Sequence, residues 1–213
     1  MATLRKQKEE FTVPEASAIL GLTAQSVNNA LDRDLKPFGV ARFGNGSRTI
    51  TSEGLVALEL LRALAKLLSL PSRQRVIREA LRTPCKAAVS LREGIVVSIS
   101  EYTARVNKGK ARLRRAEALV LSSPEVLSGE PCIRGTRVPA HLIGALAREH
   151  GMSKARAIYP FLTEEQVELV SLYVAAHPRR GRPPQTQLPK AKAPARRGRS
   201  RKVKLWPRDS ASA

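Results

Sequence analysis

Residues 11–31 read FTVPEASAILGLTAQSVNNAL, and their punctuation decides the N-terminal fold. Thr12-Val13-Pro14-Glu15 has the form of a capping box: the Thr12 hydroxyl can accept from the third backbone N–H of a helix, and Glu15 can reach back to the cap. Pro14 falls in the first turn, where a missing N–H costs little. Phe11 before the cap and Ala16 make a weak staple. Ala16, Ile19 and Leu20 then recur at helical spacing and share one face. Gly21 ends this helix as a left-handed residue, and Thr23 caps the next. In that second helix Val27, Ala30 and Leu31 face inward, which leaves Gln25, Ser26, Asn28, Asn29 and Arg33 outside. Two short helices joined by a three-residue, Gly-containing turn are the signature of a helix-turn-helix.

Outward from this stretch the period changes. Residues 1–10 are polar and read as frayed. Phe38 and Val40 alternate as in a strand, and Asn45-Gly46 is a strong hairpin signal, so residues 38–50 read as a wing with Arg42 and Arg48 on either side of its turn. Thr51 can cap a Leu-rich helix that runs from Leu55 to about Ser69 and stops at Pro71. Residues 72–81 read as a further helix. Residues 88–91 and 95–100 read as two strands around the loop Arg92-Glu93-Gly94. Residues 101–118 read as a basic helix carrying Lys108, Lys110, Arg112, Arg114 and Arg115, with Tyr102, Val106 and Leu113 on one side and Gly109 as a point of interruption.

The charge balance points to a polyanionic partner. Of 213 residues, 38 are Lys or Arg and 18 are Asp or Glu, a net charge of +20. Neutralising phosphates releases condensed counterions, so a chain of this charge suits nucleic acid. Mere solubility is the competing reading. Residues 178–208 hold 12 of the basic residues and no acid, and their Pro, Arg, Lys and Gly content reads as a disordered basic tail. Within it, Arg180-Gly181-Arg182-Pro183 resembles the core of an AT-hook, an extended Arg-Gly-Arg that lies in a narrow A·T minor groove. A non-specific phosphate tether is the alternative, and the second basic cluster at Arg196-Arg197 and residues 199–204 favours it.

Cys85 and Cys132 lack CxxC spacing and make neither a zinc site nor a disulfide framework. No apolar run follows Met1 and no stretch of about 18 apolar residues occurs, so neither a signal peptide nor a membrane span is read, and a cytoplasmic bacterial protein is expected. His141, His150 and His177 read as surface or capping residues. No HExxH, P-loop, GxSxG or dinucleotide motif is present. The expectation is therefore a protein without catalytic residues, metal or cofactor.

The helix-turn-helix, short wing and Leu-rich helix together resemble a MerR-type winged helix, which implies sequence-specific DNA binding. Gln25, Asn28 and Asn29 can read adenine edges in the major groove, with Ser26 and Arg33 beside them, while Arg42 and Arg48 hold phosphates. Asp32 and Asp34 depart from the usual basic end of such a helix.

Further along, VLSSPEVLSGEPCIRGTRVPAHLIGALAREHGMSKARAIYPFLTEEQVELVSLYVAAH begins at Val120. Gly129, Pro131, Ile133, Gly135, Thr136, Arg137, Val138 and Pro139, and later Pro160, Leu162 and Thr163, fit the pattern of the domain-of-unknown-function 433 family, which is found in VapB-type antitoxins. Read physically, Pro139 can start a helix with Leu142, Ile143 and Leu146 inward, Gly151 breaks it, Ser153 can cap a short helix, and Thr163 with Gln166 forms a second capping box before Val167, Val170 and Val174. The exposed Glu164, Glu165 and Glu168 argue for a protein contact rather than DNA on this last helix.

The expected fold is mainly α with small β-hairpins: an N-terminal winged helix-turn-helix (1–70), a connecting region (71–118), a homeodomain-like three-helix bundle (119–177) and the basic tail (178–213). The resemblance implies an antitoxin that neutralises a PIN-like ribonuclease toxin from a neighbouring gene and represses its own operon. Arg134 or Arg137 would enter the toxin's acidic pocket, against the alternative that Arg137 only braces its turn. A homodimer is one expected assembly. A MerR-like transcriptional regulator or nucleoid-associated protein is the alternative function, and an RNA-binding protein a third.

Overall fold

The computed structural model describes residues 10–44, 47–83, 88–90 and 96–179. The Asn45-Gly46 turn, the Arg92-Glu93-Gly94 loop, Cys85 and the tail from Arg180 onward lie outside them. The architecture is mainly α with small antiparallel sheets.

The N-terminal part begins with a strand that is not legible in the local sequence: β1 (Glu10–Thr12) pairs with β3 (Ser47–Thr51), placing Phe11 opposite Ile50. β3 also pairs with β2 (Ala41–Gly44), so the sheet has the order β1-β3-β2. Glu10 thus belongs to the fold rather than to a frayed end. Phe38 is not in a strand: Lys36–Phe38 is a 3-10 turn closed by Gly39, because Pro37 near its start favours helical backbone over a ladder that needs its N–H. Helix α1 (Val13–Leu20) has both halves of its capping box: Oγ1 of Thr12 accepts from the Glu15 N–H at 3.4 Å, and the Glu15 carboxylate accepts from the Thr12 N–H at 2.9 Å. Gly21 terminates it at φ 64°, a conformation that suits glycine. Helix α2 (Ala24–Arg33) starts at its Thr23 cap and buries Val27 and Leu31.

Helix α3 (Ser52–Ala63) starts at Thr51 as its sequence indicates but ends earlier than the Leu periodicity suggests, in a 3-10 turn over Leu64–Lys66. Pro71 does not mark the stop. It lies in the first turn of α4 (Leu70–Arg82), where its fixed φ helps start a helix. The short pair β4 (Ala88–Ser90) and β5 (Val96–Ser98) leads into α5 (Ile99–Leu119), a continuous 21-residue helix.

Gly109 therefore does not interrupt α5. It lets α5 approach α1: an ideal Cβ at this position would lie 2.4 Å from the Ile19 carbonyl oxygen and 2.9 Å from its Cγ2. Helix α5 buries Val106 and Leu113 on the side read from the sequence, with Tyr102 half-buried beside them.

Beyond α5, β6 (Val120–Leu121) pairs with β7 (Cys132–Ile133) and opens a three-helix arrangement: α6 (Ala140–His150), α7 (Met152–Ile158) and α8 (Glu164–Ala176). Gly151, not Ser153, precedes the first residue of α7; Ser153 is inside the helix and supplies no cap. The Thr163–Gln166 capping box is formed. Ile143, Leu146, Val167 and Val170 are buried together, with Leu142 and Val174 half-buried at the margin. Helix α8 packs on α6 and α7, and also on α1 and α5. Its Ala176 joins the core of the N-terminal part.

Replacing Gly109 by Ala should destabilise the protein although Ala favours helix by about 1 kcal/mol, because overpacking against backbone costs roughly 1–3 kcal/mol. Equilibrium urea unfolding checks this, and an equal or higher midpoint would show that α5 and α1 can separate without loss.

Candidate nucleic-acid interface

The exposed side of α2 is polar. Gln25, Ser26, Asn29 and Arg33 are exposed and Asn28 is half-buried. Ser26 is tied to the cap by a 2.8 Å contact with the Thr23 hydroxyl. One turn apart, Gln25 Nε2 donates to Asn29 Oδ1 at 3.1 Å. This contact holds both exposed amides on one face and does not use the Gln25 oxygen or the Asn29 nitrogen.

Of the two arginines on β2 and β3, Arg48 is brought beside this helix, and each has a carboxylate partner. Arg48 on β3 pairs with Asp32 of α2 at 2.6 Å, and this hydrogen bond, with the Arg48 charge behind it, holds the Asp32 carboxyl below its ordinary range. Arg42 on β2 pairs with Glu10 of β1 at 2.9 Å, while the other Glu10 oxygen accepts from the Thr49 hydroxyl. Both pairs have an exposed partner, so they are weak and screened. The Arg48–Asp32 pair ties β3 to α2, and the Arg42–Glu10 pair ties β2 to β1 within the sheet. Arg180 and Arg182 lie outside the described residues.

The basic helix α5 is partly neutralised from within the chain. Arg112 pairs with Glu168 at 3.1 Å, and Arg115 pairs with Glu165, while Arg156 of α7 faces Glu164 at 3.5 Å. The three exposed carboxylates of α8 thus each meet an arginine. Arg105 lies 3.7 Å from Glu59 of α3, a buried carboxylate that Arg62 holds by two hydrogen bonds.

The second group of predicted residues lies in the segment between β6 and α6, with Arg134 and Arg137 in the turn that follows β7. Arg134 and Arg137 are exposed, and no side-chain bond of Arg137 to a turn carbonyl is present among the described residues; the turn is braced instead by Thr136, whose hydroxyl donates to the Ile133 carbonyl and accepts from the Val138 N–H. Cys132 is buried. Leu127 and Ser128 adopt φ of 46° and 55°, rare for residues with a Cβ, and Leu127 stays about half exposed, as does Leu121. Strain of this kind persists where the surroundings over-determine it.

The histidines are less isolated than their sequence positions indicate. His177 Nε2 is 3.4 Å from Glu117 of α5, and its ring lies 4.7 Å from that of Tyr173. Donor atoms of Glu15, Glu117 and His177 lie within 4.8 Å of one another, a set a divalent cation could use. Glu15 already serves the α1 capping box, and Glu117 and His177 pair across α5 and the end of α8. Among the described residues, no helix is long and apolar enough to cross a membrane.

Residues 120–174 match the DUF433 family, described as protein of unknown function. The DUF433 segment runs from β6 to α8 and contains Arg134, Arg137 and the three-helix arrangement. The chain is also similar to the uncharacterized protein y4eO of Sinorhizobium fredii, with 26% identity over 186 residues that cover 82% of this chain and 84% of the relative. The similarity therefore extends well beyond the DUF433 segment into the N-terminal part. No solved structure matches the chain.

His141, at the start of α6, has its pKa pushed below 6.5 by burial and then by the nearby His177. The fold thus favours the neutral ring, so stability is full above the unfolded value and falls as pH drops below about 6.5 toward the lower folded value. Melting temperatures measured from pH 7.5 to 5.5 should decline, and His141→Gln should flatten the decline. An identical slope in the variant would assign the acid sensitivity to other groups.

Proposed function

We propose that the chain is a DNA-binding regulator of the antitoxin kind, in which α2 reads operator DNA and the DUF433 segment binds a protein partner. The observation that carries this reading is the exposed Gln25–Asn29 amide pair on the second helix of a helix-turn-helix. With their mutual bond made, Gln25 offers an acceptor and Asn29 a donor side by side. Adenine presents the complementary set in the major groove, an N6 donor beside the N7 acceptor. Ser26 and Arg33 flank the pair on the same exposed helix.

Arg42 and Arg48 then act as phosphate contacts whose direction is fixed in advance by Glu10 and Asp32. Those carboxylates reduce the charge gained, which moves the affinity burden to the tail. Twelve cations between residues 178 and 208 would supply affinity without sequence preference.

The partner reading rests on the resemblance to VapB-type antitoxins and is supported by the β6–α6 turn. Exposed Leu121 and Leu127 with exposed Arg134 and Arg137 give apolar anchors and cations on one short stretch, and the strained Leu127 backbone indicates a fixed shape. A PIN-like nuclease, whose acidic pocket needs Mg²⁺, would be blocked by an arginine in that pocket. The second reading is a MerR-like regulator with no toxin, and the N-terminal geometry serves it equally.

A gel-shift competition between the chain's own upstream region and random DNA tests the first half. Gln25→Ala with Asn29→Ala should lose about 1–3 kcal/mol of discrimination, while binding to random DNA changes little. Unaltered discrimination would move base reading away from α2. Deleting residues 179–213 should weaken all sequences alike and flatten the salt dependence, with each lost phosphate contact lowering the log–log slope by about 0.9. For the second half, the neighbouring gene product should co-purify, and Arg134→Ala should release its ribonuclease activity while the antitoxin still melts cooperatively. Complete inhibition by the variant would remove Arg134 from the interface.

A further inference from the structure

A cavity of about 180 Å³ lies between α3, α4 and α5, away from the exposed face of α2 and from the β6–α6 turn. Its walls are mostly aliphatic, among them Val56, Leu60, Ile77 and Val106. Ser52, Glu53, Thr103 and Asn107 add polar groups at its margin, and Lys110 of α5 is the one cation in the lining. Its ammonium is half-buried, donates to the Ser52 hydroxyl at 3.1 Å and sits 5.5 Å from the centre of the Phe11 ring. No carboxylate of the described residues pairs with it, Glu53 on the same wall included.

A partly desolvated ammonium without a counter-ion is costly to hold, and an anion beside it relieves that cost. Burial and then Arg114 depress the Lys110 pKa, which is the mark of a cation lacking a negative neighbour. Ser52 is the first residue of α3, a 12-residue helix whose opening N–H groups favour negative charge. The size is also defined. A dry apolar cavity of about 150 Å³ accepts benzene, so this one suits a single ring or a chain of about six carbons. One lysine and one hydroxyl match one carboxylate, whereas a dianionic phosphate ester calls for more donors.

We propose that this cavity binds a small apolar carboxylic acid, ring-sized or six-carbon, with its carboxylate on Lys110 and Ser52 and its hydrocarbon among the aliphatic walls. The proposal does not depend on the DNA-binding reading. It would give that reading a control point, because Ser52 directly follows the last residue of β3 and Lys110 directly follows the Gly109 contact with α1.

The test uses the full chain without DNA. Calorimetric titration with benzoate should give saturable one-site binding. Benzyl alcohol, of similar size but uncharged, should bind at least tenfold more weakly, and acetate, charged but without the ring, should not displace benzoate. Lys110→Met should weaken benzoate at least tenfold and leave benzyl alcohol nearly unchanged, and Ala80→Leu, which fills the cavity, should weaken both. Thermal melts establish that each variant folds; if neither does, the acid, alcohol and acetate comparison on the unaltered chain decides alone. Absence of saturable binding by both benzoate and hexanoate would overturn the proposal, as would equal affinity for benzoate and benzyl alcohol. Displacement by acetate would reduce the binding to simple attraction of anions by a cationic chain, and would also overturn it.

Discussion

The close crossing of α5 over α1 at Gly109 is the constraint on which the remaining packing depends. A side chain there would meet the Ile19 backbone. With the two helices in contact, α5 lies against α1 on one side and against α8 on another. It buries Val106 and Leu113 in the N-terminal core and delivers the chain to Val120, whose side chain is in the second core. The helix is thus a shared wall, and α8 closes over it so that Ala176 returns to the first core.

Electrostatics follow the same wall. A strongly basic helix would be self-repelling alone. Glu165 and Glu168 on α8 face Arg115 and Arg112, and Glu59 on α3 gathers Arg62 and Arg105. Exposed pairs of this sort contribute little each, but they decide which surfaces remain positive. In the described residues, Arg42, Arg48, Arg62, Arg105, Arg112 and Arg115 are aligned by carboxylates around α5 and the N-terminal sheet, while residues 178–208 carry twelve cations and no acid in their sequence.

What was legible in the sequence was local. Thr12 with Glu15, and Thr163 with Gln166, are three residues apart, and both capping boxes form as the spacing dictates. Thr23 and Thr51 cap the helices they precede, and Gly21 has the left-handed backbone its position requires. The features that were not legible depended on distant partners. A three-residue strand at Glu10–Thr12 exists only because β3 pairs with it from nearly 40 residues away. Gly109 reads as a helix breaker in isolation, and only the approach of Ile19 explains it as a spacer. Glu165 and Glu168 of α8 read as repelling DNA because their arginine partners, Arg115 and Arg112, lie 50 and 56 residues earlier. For Lys110, composition showed one cation among five, and only tertiary packing distinguishes the one turned toward an apolar cavity. Pro71 was visible as punctuation, but a proline can close one element or open the next, and here the downstream residues, by continuing in helical backbone, made it an opening.

The shared wall has a consequence for modularity. A segment with its own recognisable sequence family is commonly treated as a part that can be cut out and moved between proteins. Here a cut near residue 119 would strip α8 of the α1 and α5 surfaces it covers and leave Ala176 without its core. It would equally uncap the N-terminal core. Recombination that exchanged either half would succeed only if the incoming half brought a matching face for α5. The boundary visible in sequence space is therefore not a boundary in cohesion, and the two halves are bound to change together.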